Sequence, residues 1–340
     1  MKSQNWRGVI MDTTLILVIS IIALAIIFDF LNGFHDSANS IATIVVTRTL
    51  TPGQAVLMAG LANFVGYFTF GIAIAKTVGK GIVYTEHITL TVVLAALVGA
   101  IVWNIITWLL GLPTSSSHAL IGGLVGSAFA AAGFKAVVIS GVVKIVIFIF
   151  MAPLIGMMAA SLFTIAILWI FRKVTPSKAN SVFKRLQLLS SFCYSVGHGT
   201  NDAQKSMGII ALALFTGGVT KSFQLDSWVV ISCYSAISLG TMMGGWRIVK
   251  TMGTKIIKIR PMEGFSAETA SAIVLLGTAH CGIPVSTTHV IAGSIMGVGA
   301  IEKGAAVRWI TARRIIWAWF LTIPLTALCS AITYYVFSLF

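Results

Sequence analysis

Two polar motifs each occur twice in this chain, and their residue types suit two kinds of chemistry. The first reads Gly33-Phe34-His35-Asp36-Ser37-Ala38-Asn39-Ser40. It returns as Gly199-Thr200-Asn201-Asp202-Ala203-Gln204-Lys205-Ser206, an offset of 166 (202 minus 36). Its carboxylate and carboxamide oxygens suit a cation or a proton. The second reads Pro113-Thr114-Ser115-Ser116-Ser117-His118 and returns as Pro284-Val285-Ser286-Thr287-Thr288-His289, an offset of 171 (284 minus 113). Proline suits the first turn of a helix, and Ser and Thr cap one. The motif therefore gathers hydroxyls and free backbone N–H groups at a helix N-terminus, which can hold an oxyanion without Lys or Arg. Plain capping of the helix is the competing reading.

In the first motif Asp36 and Asn39, and likewise Asp202 and Lys205, stand at i and i+3 on one helical face. A carboxylate in an apolar helix is costly and usually marks a coupling-ion or proton site. The alternative is an Asp at the end of a span that merely faces water. Gly33 and Gly199 are expected to allow a helix break that frees carbonyls for ion coordination. Lys205 is read as a counter-ion to Asp202 or a substrate contact, and it makes the two copies unequal. Glu268 is a gating or coupling candidate, against the simpler reading of an acid favoured by a helix N-terminus. His35, His118, His198 and His289 fall in or beside the motifs and could carry protons, or could be hydrogen-bonded spacers. A His-Asp pair offers a metal two ligands, but a third at helical spacing is not evident, so no metal site is expected. Asp29 has no repeat partner and is a weaker candidate.

The elements that position these residues follow from composition. Of 340 residues, 57% are hydrophobic and 9% charged, against about 25% charged in a soluble domain. Apolar stretches at 13–27, 55–75, 89–112, 137–171 and 228–243 reach or nearly reach across a hydrocarbon core about 30 Å thick. The chain is thus an all-α polytopic membrane protein, and its 32 glycines suit close helix packing. The net charge of +14 sits in short loops, as the positive-inside rule requires, so nucleic acid is not an expected partner. The four cysteines show no CxxC spacing and read as inert core residues. Lys2 and Arg7 precede an apolar run without a small-residue cleavage site, so the run reads as a retained first span.

Polar repeats in an apolar chain are the signature of a duplicated membrane carrier. Gly122 and Gly126 match Gly293 and Gly297, and Pro153 matches Pro324, at the same offset of 171. We divide the chain into a first transmembrane repeat at 1–171, a basic cytoplasmic linker at 172–185 and a second repeat at 186–340. Basic runs at 247–260 and 303–314 place those loops with the linker. The segment 264–302 then enters, turns at its Ser-Thr-Thr triplet and returns, and 89–133 is its counterpart. With 137–171 counted as one span kinked at Pro153, parity inverts the second repeat relative to the first. Lys76, Lys80 and Lys135 run against the charge rule in that arrangement.

The two motifs, together with Gly245-Trp246-Arg247-Ile248-Val249-Lys250-Thr251-Met252-Gly253 and the segment 264–268, resemble the inorganic phosphate transporter (PiT) family over nearly the whole chain. The resemblance implies a secondary carrier in the cell membrane, with two inverted repeats and broken or re-entrant hairpins meeting near the midplane. By the same resemblance Asp36, Asn39, Asn201 and Asp202 help bind the coupling cation. Ser115, Ser116, Ser117, Ser286, Thr287 and Thr288 would hold phosphate between the hairpin tips. His35 stands where the family pattern has Asn, and Asn63 where sodium-coupled members often have Glu. Both departures point to the bacterial proton-coupled branch, some members of which take neutral metal–phosphate complexes. The implied partners are inorganic phosphate, a coupling proton or sodium ion, membrane lipid and, as an open option, a second copy in a homodimer; no cofactor is implied. A sulfate permease, an anion channel and a membrane hydrolase using the serines and histidines remain as rivals.

Overall fold

A computed structural model describes residues 13–68, 73–302 and 307–339, apart from the side chains of Lys80 and Glu302. Lys2, Arg7 and Lys303, used above to read topology, lie outside the described residues. The described chain is almost wholly helical: α1 (Thr13–Val46), α2 (Pro52–Val65), α3 (Ala73–Lys80), α4 (Leu90–Leu109), α5 (Ser116–Ala132), α6 (Ile139–Ile170), α7 (Pro176–Thr216), α8 (Ser227–Met243), α9 (Trp246–Lys250), α10 (Pro261–His280), α11 (Thr287–Glu302) and α12 (Trp309–Phe337). Local chemistry fixes their starts. Thr51 and Gln54 form a reciprocal cap before α2, with Pro52 in its first turn. Thr89 Oγ1 accepts from Val92 N–H at the head of α4, and Pro176 and Pro261 open α7 and α10.

Among the described residues, five helices are long and apolar enough to cross a membrane, and two bent pairs of shorter helices extend that to as many as seven. The outward faces are apolar: Leu154, Met158 and Leu162 on α6, and Leu328 and Ile332 on α12, are exposed. The polar residues lie inside, as lipid requires. Pro153 sits within one continuous α6, in keeping with a single span for 137–171. The linker region at 172–185 is non-helical only over 172–175, because α7 starts at Pro176.

α1 and α7, which carry the two copies of the first motif, lie against each other in opposite directions. Ser206 reaches Asp29, Ser191 reaches the Ser40 carbonyl, and Gln187 meets Thr47. Rising numbers on one helix meet falling numbers on the other. α4–α5 and α10–α11 form two hairpins, each turning at a copy of the second motif. The last long helix of each half then crosses to the other half's hairpin. α6 packs on α10 and α11, while α12 packs on α4 and α5.

The repeated glycines make that crossing possible. A Cβ on Gly126 would stand 2.1 Å from the Ala327 carbonyl oxygen, and one on Gly297 2.3 Å from that of Met157. Gly33 and Gly199 do the same work and do not break their helices, contrary to expectation. α1 and α7 run straight through them. A Cβ there would lie 2.1 Å from the Ile237 oxygen and 2.4 Å from the Asn63 oxygen. Small residues let backbones approach in lipid, and that demand accounts for both positions. The cysteine reading also needs correction, since only Cys233 is buried and Cys281 is exposed.

Candidate functional site

Antiparallel packing of α1 on α7 brings the two repeated aspartates to one buried point. One ligand atom each from Asp36, His198 and Asp202 lies within 4.8 Å of the others. Spacing along the chain supplies only His198 and Asp202, one turn apart with Nε2 to Oδ2 at 3.2 Å. The third donor comes from the other half, which is why sequence spacing did not reveal it. Each carboxylate has its own histidine, for His35 Nδ1 lies 2.7 Å from Asp36 Oδ1. His35 Nε2 is fixed by Thr107 Oγ1 at 3.2 Å, and His198 Nδ1 by Asn63 Oδ1 at 3.1 Å.

Lys205 is the buried cation of this centre. Its Nζ donates to Asp202 Oδ1 at 2.5 Å, to Ser117 Oγ at the first hairpin tip, and to the Val285 carbonyl at the second, 3.1 Å away. One ammonium thus ties α7 to both tips. It is a counter-ion to Asp202 first, and its other two bonds place it beside the second motif.

The tips meet each other as well. Thr288 Oγ1 accepts from Asn39 Nδ2 at 2.8 Å, and lies 3.2 Å from the Thr114 carbonyl and 3.4 Å from Asp36 Oδ2. Thr287 Oγ1 donates to Asp202 Oδ2 at 3.2 Å. Ser115 and Ser286 are caps: each hydroxyl oxygen accepts the backbone N–H of the histidine three residues on, at 3.2 Å. A capping hydroxyl still has its own O–H to donate, so capping does not remove it from an anion's reach. Thr114 Oγ1 and Ser116 Oγ are buried with no hydrogen-bond partner among the described residues. Asn39 Oδ1 and Asn201 Oδ1 are in the same condition, although the amide nitrogens of both are bonded. Buried polar atoms in native structures are normally paired. These four unpaired ones belong to the two repeated motifs.

His118 and His289 stand behind the tips, rings 4.7 Å apart, with His289 stacked on Trp319 at 4.1 Å. Trp319 Nε1 donates to the Pro113 carbonyl at 2.9 Å. Sequence reasoning missed this tryptophan, since nothing on α12 resembles either motif. Glu268 is not gathered with the other candidates. Its carboxylate accepts from Thr43 Oγ1, from Ser190 Oγ at 2.5 Å and from Gln187 Nε2 at 3.2 Å. Thr43, Gln187 and Ser190 lack a repeated motif and gave no signal beyond being polar in apolar helices.

A model described as the phosphate transporter family matches residues 32–330. A protein of Rhizobium meliloti described as a probable low-affinity inorganic phosphate transporter is 52% identical, over 96% of this chain and 98% of its own. One of Bacillus subtilis with the same description is 45% identical, over 97% and 99%. A solved structure, described as the sodium-dependent phosphate transporter, superimposes with a TM-score of 0.85 at 26% identity, covering 95% of this chain and 99% of that one.

Proposed function

Because the chain belongs to the phosphate transporter family, we propose that it imports inorganic phosphate by symport with a cation, a proton in preference to sodium. The chain is a multi-pass cell-membrane protein and not an enzyme. The observation that carries the reading is the convergence of both hairpin tips and both repeated aspartates on one buried point. Hydroxyls of Ser116, Ser117, Thr287 and Thr288 and the free N–H groups of α5 and α11 offer donors to a tetrahedral oxyanion. Asp36, Asp202 and the open oxygens of Asn39 and Asn201 offer acceptors to a cation.

The charges explain why the two cargoes should travel together. Lys205 offsets one carboxylate of the pair. A bound phosphate would add negative charge to a site with Asp36 and Asp202 already in it. A proton or cation taken up with the anion compensates that charge, and a compensated site crosses an apolar region at far lower cost. Two features favour the proton. Each aspartate holds a histidine at hydrogen-bond range, and Asn63, in place of a carboxylate, is spent on His198 and Thr241. Uptake of a neutral metal–phosphate complex is a variant of the same reading, and the nearness of Asp36, His198 and Asp202 supports it.

The test is radiolabelled phosphate uptake into proteoliposomes under imposed pH or sodium gradients, with sulfate as competitor. Uptake that follows the pH gradient and ignores sulfate is the expected result. Uptake that follows only sodium would reassign the cation, competition by sulfate would reassign the anion, and indifference to both gradients would leave a channel.

A further inference from the structure

One buried acid has no task in this scheme. Asp29 on α1 is completely buried. Its Oδ1 accepts from Ser206 Oγ on α7 at 2.6 Å, while Oδ2 has no hydrogen-bond partner among the described residues. None of the ion pairs among those residues includes Asp29. Lys205 is the cation next in line, and its Nζ is taken by Asp202, Ser117 and Val285. Cys233 on α8 lies against the Asp29 carboxyl, and Tyr234 follows it. α4 and α2 carry no ionisable side chain; α5, α9, α10 and α11 also touch α1, and the charged groups that act on Asp29 are Asp202 and Lys205 of α7.

A lone carboxylate held out of water is far more costly than a neutral acid. A proton on Oδ2 would neutralise Asp29 in this conformation. Replacing that proton would require water or a cation to reach Oδ2.

Its position gives that proton somewhere to go. Asp29, Asn32, Asp36, Asn39 and Thr43 on α1, with Thr47 just past its end, recur every three or four residues, and all are buried, so they form one polar stripe. Gln187, Ser191, Ser195, His198, Asp202 and Ser206 make the facing stripe on α7, also buried. The bonds from Ser206 to Asp29 and from Thr47 to Gln187 join the two stripes near their ends. At 1.5 Å of rise per residue, Asp29 stands about 10 Å along the helix from Asp36. Thr43, which holds Glu268, lies about as far on the other side. The anion site thus has a buried acid to either side of it.

Resting on the proton-symport reading above, we propose that Asp29 is a proton-binding site of the transport cycle, separate from the Asp36–Asp202 centre and joined to it by the α1–α7 seam. The carboxylate takes a proton from water on the more acidic face, and the buried state holds it as the neutral acid. Opening of the seam to the other face returns the proton to water there, and nothing else changes bonding.

The test compares wild-type protein with Asp29→Asn and Asp29→Glu in proteoliposomes, with radiolabelled phosphate as probe. Two readouts are needed: accumulation driven by a pH gradient, and phosphate–phosphate exchange with no gradient. Asp29→Asn, close in size but unable to titrate, is expected to lose gradient-driven accumulation at least tenfold while exchange remains measurable. Asp29→Glu is expected to restore the gradient response with a shifted pH profile. Gradient-driven accumulation by Asp29→Asn equal to wild type would overturn the inference and leave the symport reading standing. If Asp29→Asn fails in both readouts, Asp29→Glu decides: recovery supports the proton site, and failure there too overturns it. A wild-type protein that ignores the pH gradient would overturn the symport reading and this inference with it.

Discussion

Replacing Lys205 by methionine tests the geometry of the centre most directly. Lys205 and Asp202 are 2% and 1% exposed, so the variant leaves a carboxylate buried without its cation. Removing one partner of a buried pair costs about 3–5 kcal/mol. Asp202 keeps Thr287 Oγ1 and His198 Nε2, each at 3.2 Å, which places the expected loss near the lower end, about 3 kcal/mol. Unfolding entropy is about 2.1 cal/mol/K per residue, or about 0.7 kcal/mol/K over 340 residues. A loss of that size lowers the melting temperature by about 4 °C. The double variant Lys205→Met with Asp202→Asn removes both charges and should recover about half of the loss, roughly 1–2 kcal/mol, so that it costs far less than the sum of the singles. The assay is thermal unfolding of the detergent-solubilised protein, followed by tryptophan fluorescence. A Lys205→Met melting temperature within about 1 °C of wild type, or a double variant equal to the sum of the singles, would refute the buried pair.

The hairpin tips, the acids and the inter-repeat contacts give further tests. Ser116→Ala removes a hydroxyl that has no hydrogen-bond partner among the described residues, so melting should stay unchanged while the KM for phosphate rises several-fold; an unchanged KM removes Ser116 from the anion site. Ser286→Ala with Thr287→Ala also deletes a cap worth about 1 kcal/mol, so both stability and phosphate affinity should fall, and unchanged affinity would count against the cradle. Glu268→Gln places an amide N–H where Thr43 or Ser190 now donates, and should cost about 1–3 kcal/mol of stability together with coupled uptake; wild-type values in both would make Glu268 incidental. Gly126→Ala and Gly297→Ala drive a methyl into opposing carbonyls and should each cost about 1–3 kcal/mol in thermal unfolding, by similar amounts because the contacts repeat.

Several of these contacts could be read from the chain and others could not. The duplicated motifs identified Asp36, Asp202 and the Ser/Thr triplets, because repetition in an apolar chain singles out residues that composition alone would hide. The hairpins at α4–α5 and α10–α11 followed from the basic loops flanking the second and from the repeat, with proline and capping hydroxyls marking the turns. The reading of Gly33 and Gly199 went wrong because a glycine serves a break and a close approach equally well. Only the neighbouring backbone at Ile237 and Asn63 distinguishes the two. The pocket around Glu268 was invisible because Thr43, Gln187 and Ser190 come from two helices far apart in sequence.

The sequence by itself determined what depends on local period and on the solvent. It set the apolar helices, their caps, the duplication and the membrane as the medium. Tertiary structure decided what depends on which helix lies beside which. It placed Asp36 beside His198 and Asp202, spread Lys205 over both hairpin tips, exchanged α6 and α12 between the halves, and set Asp29 against Ser206. The physical reason is range. Capping and amphipathic spacing act over three or four residues. The centre is closed by contacts between residues 72 to 252 positions apart, which the close packing of helices brings within hydrogen-bond distance.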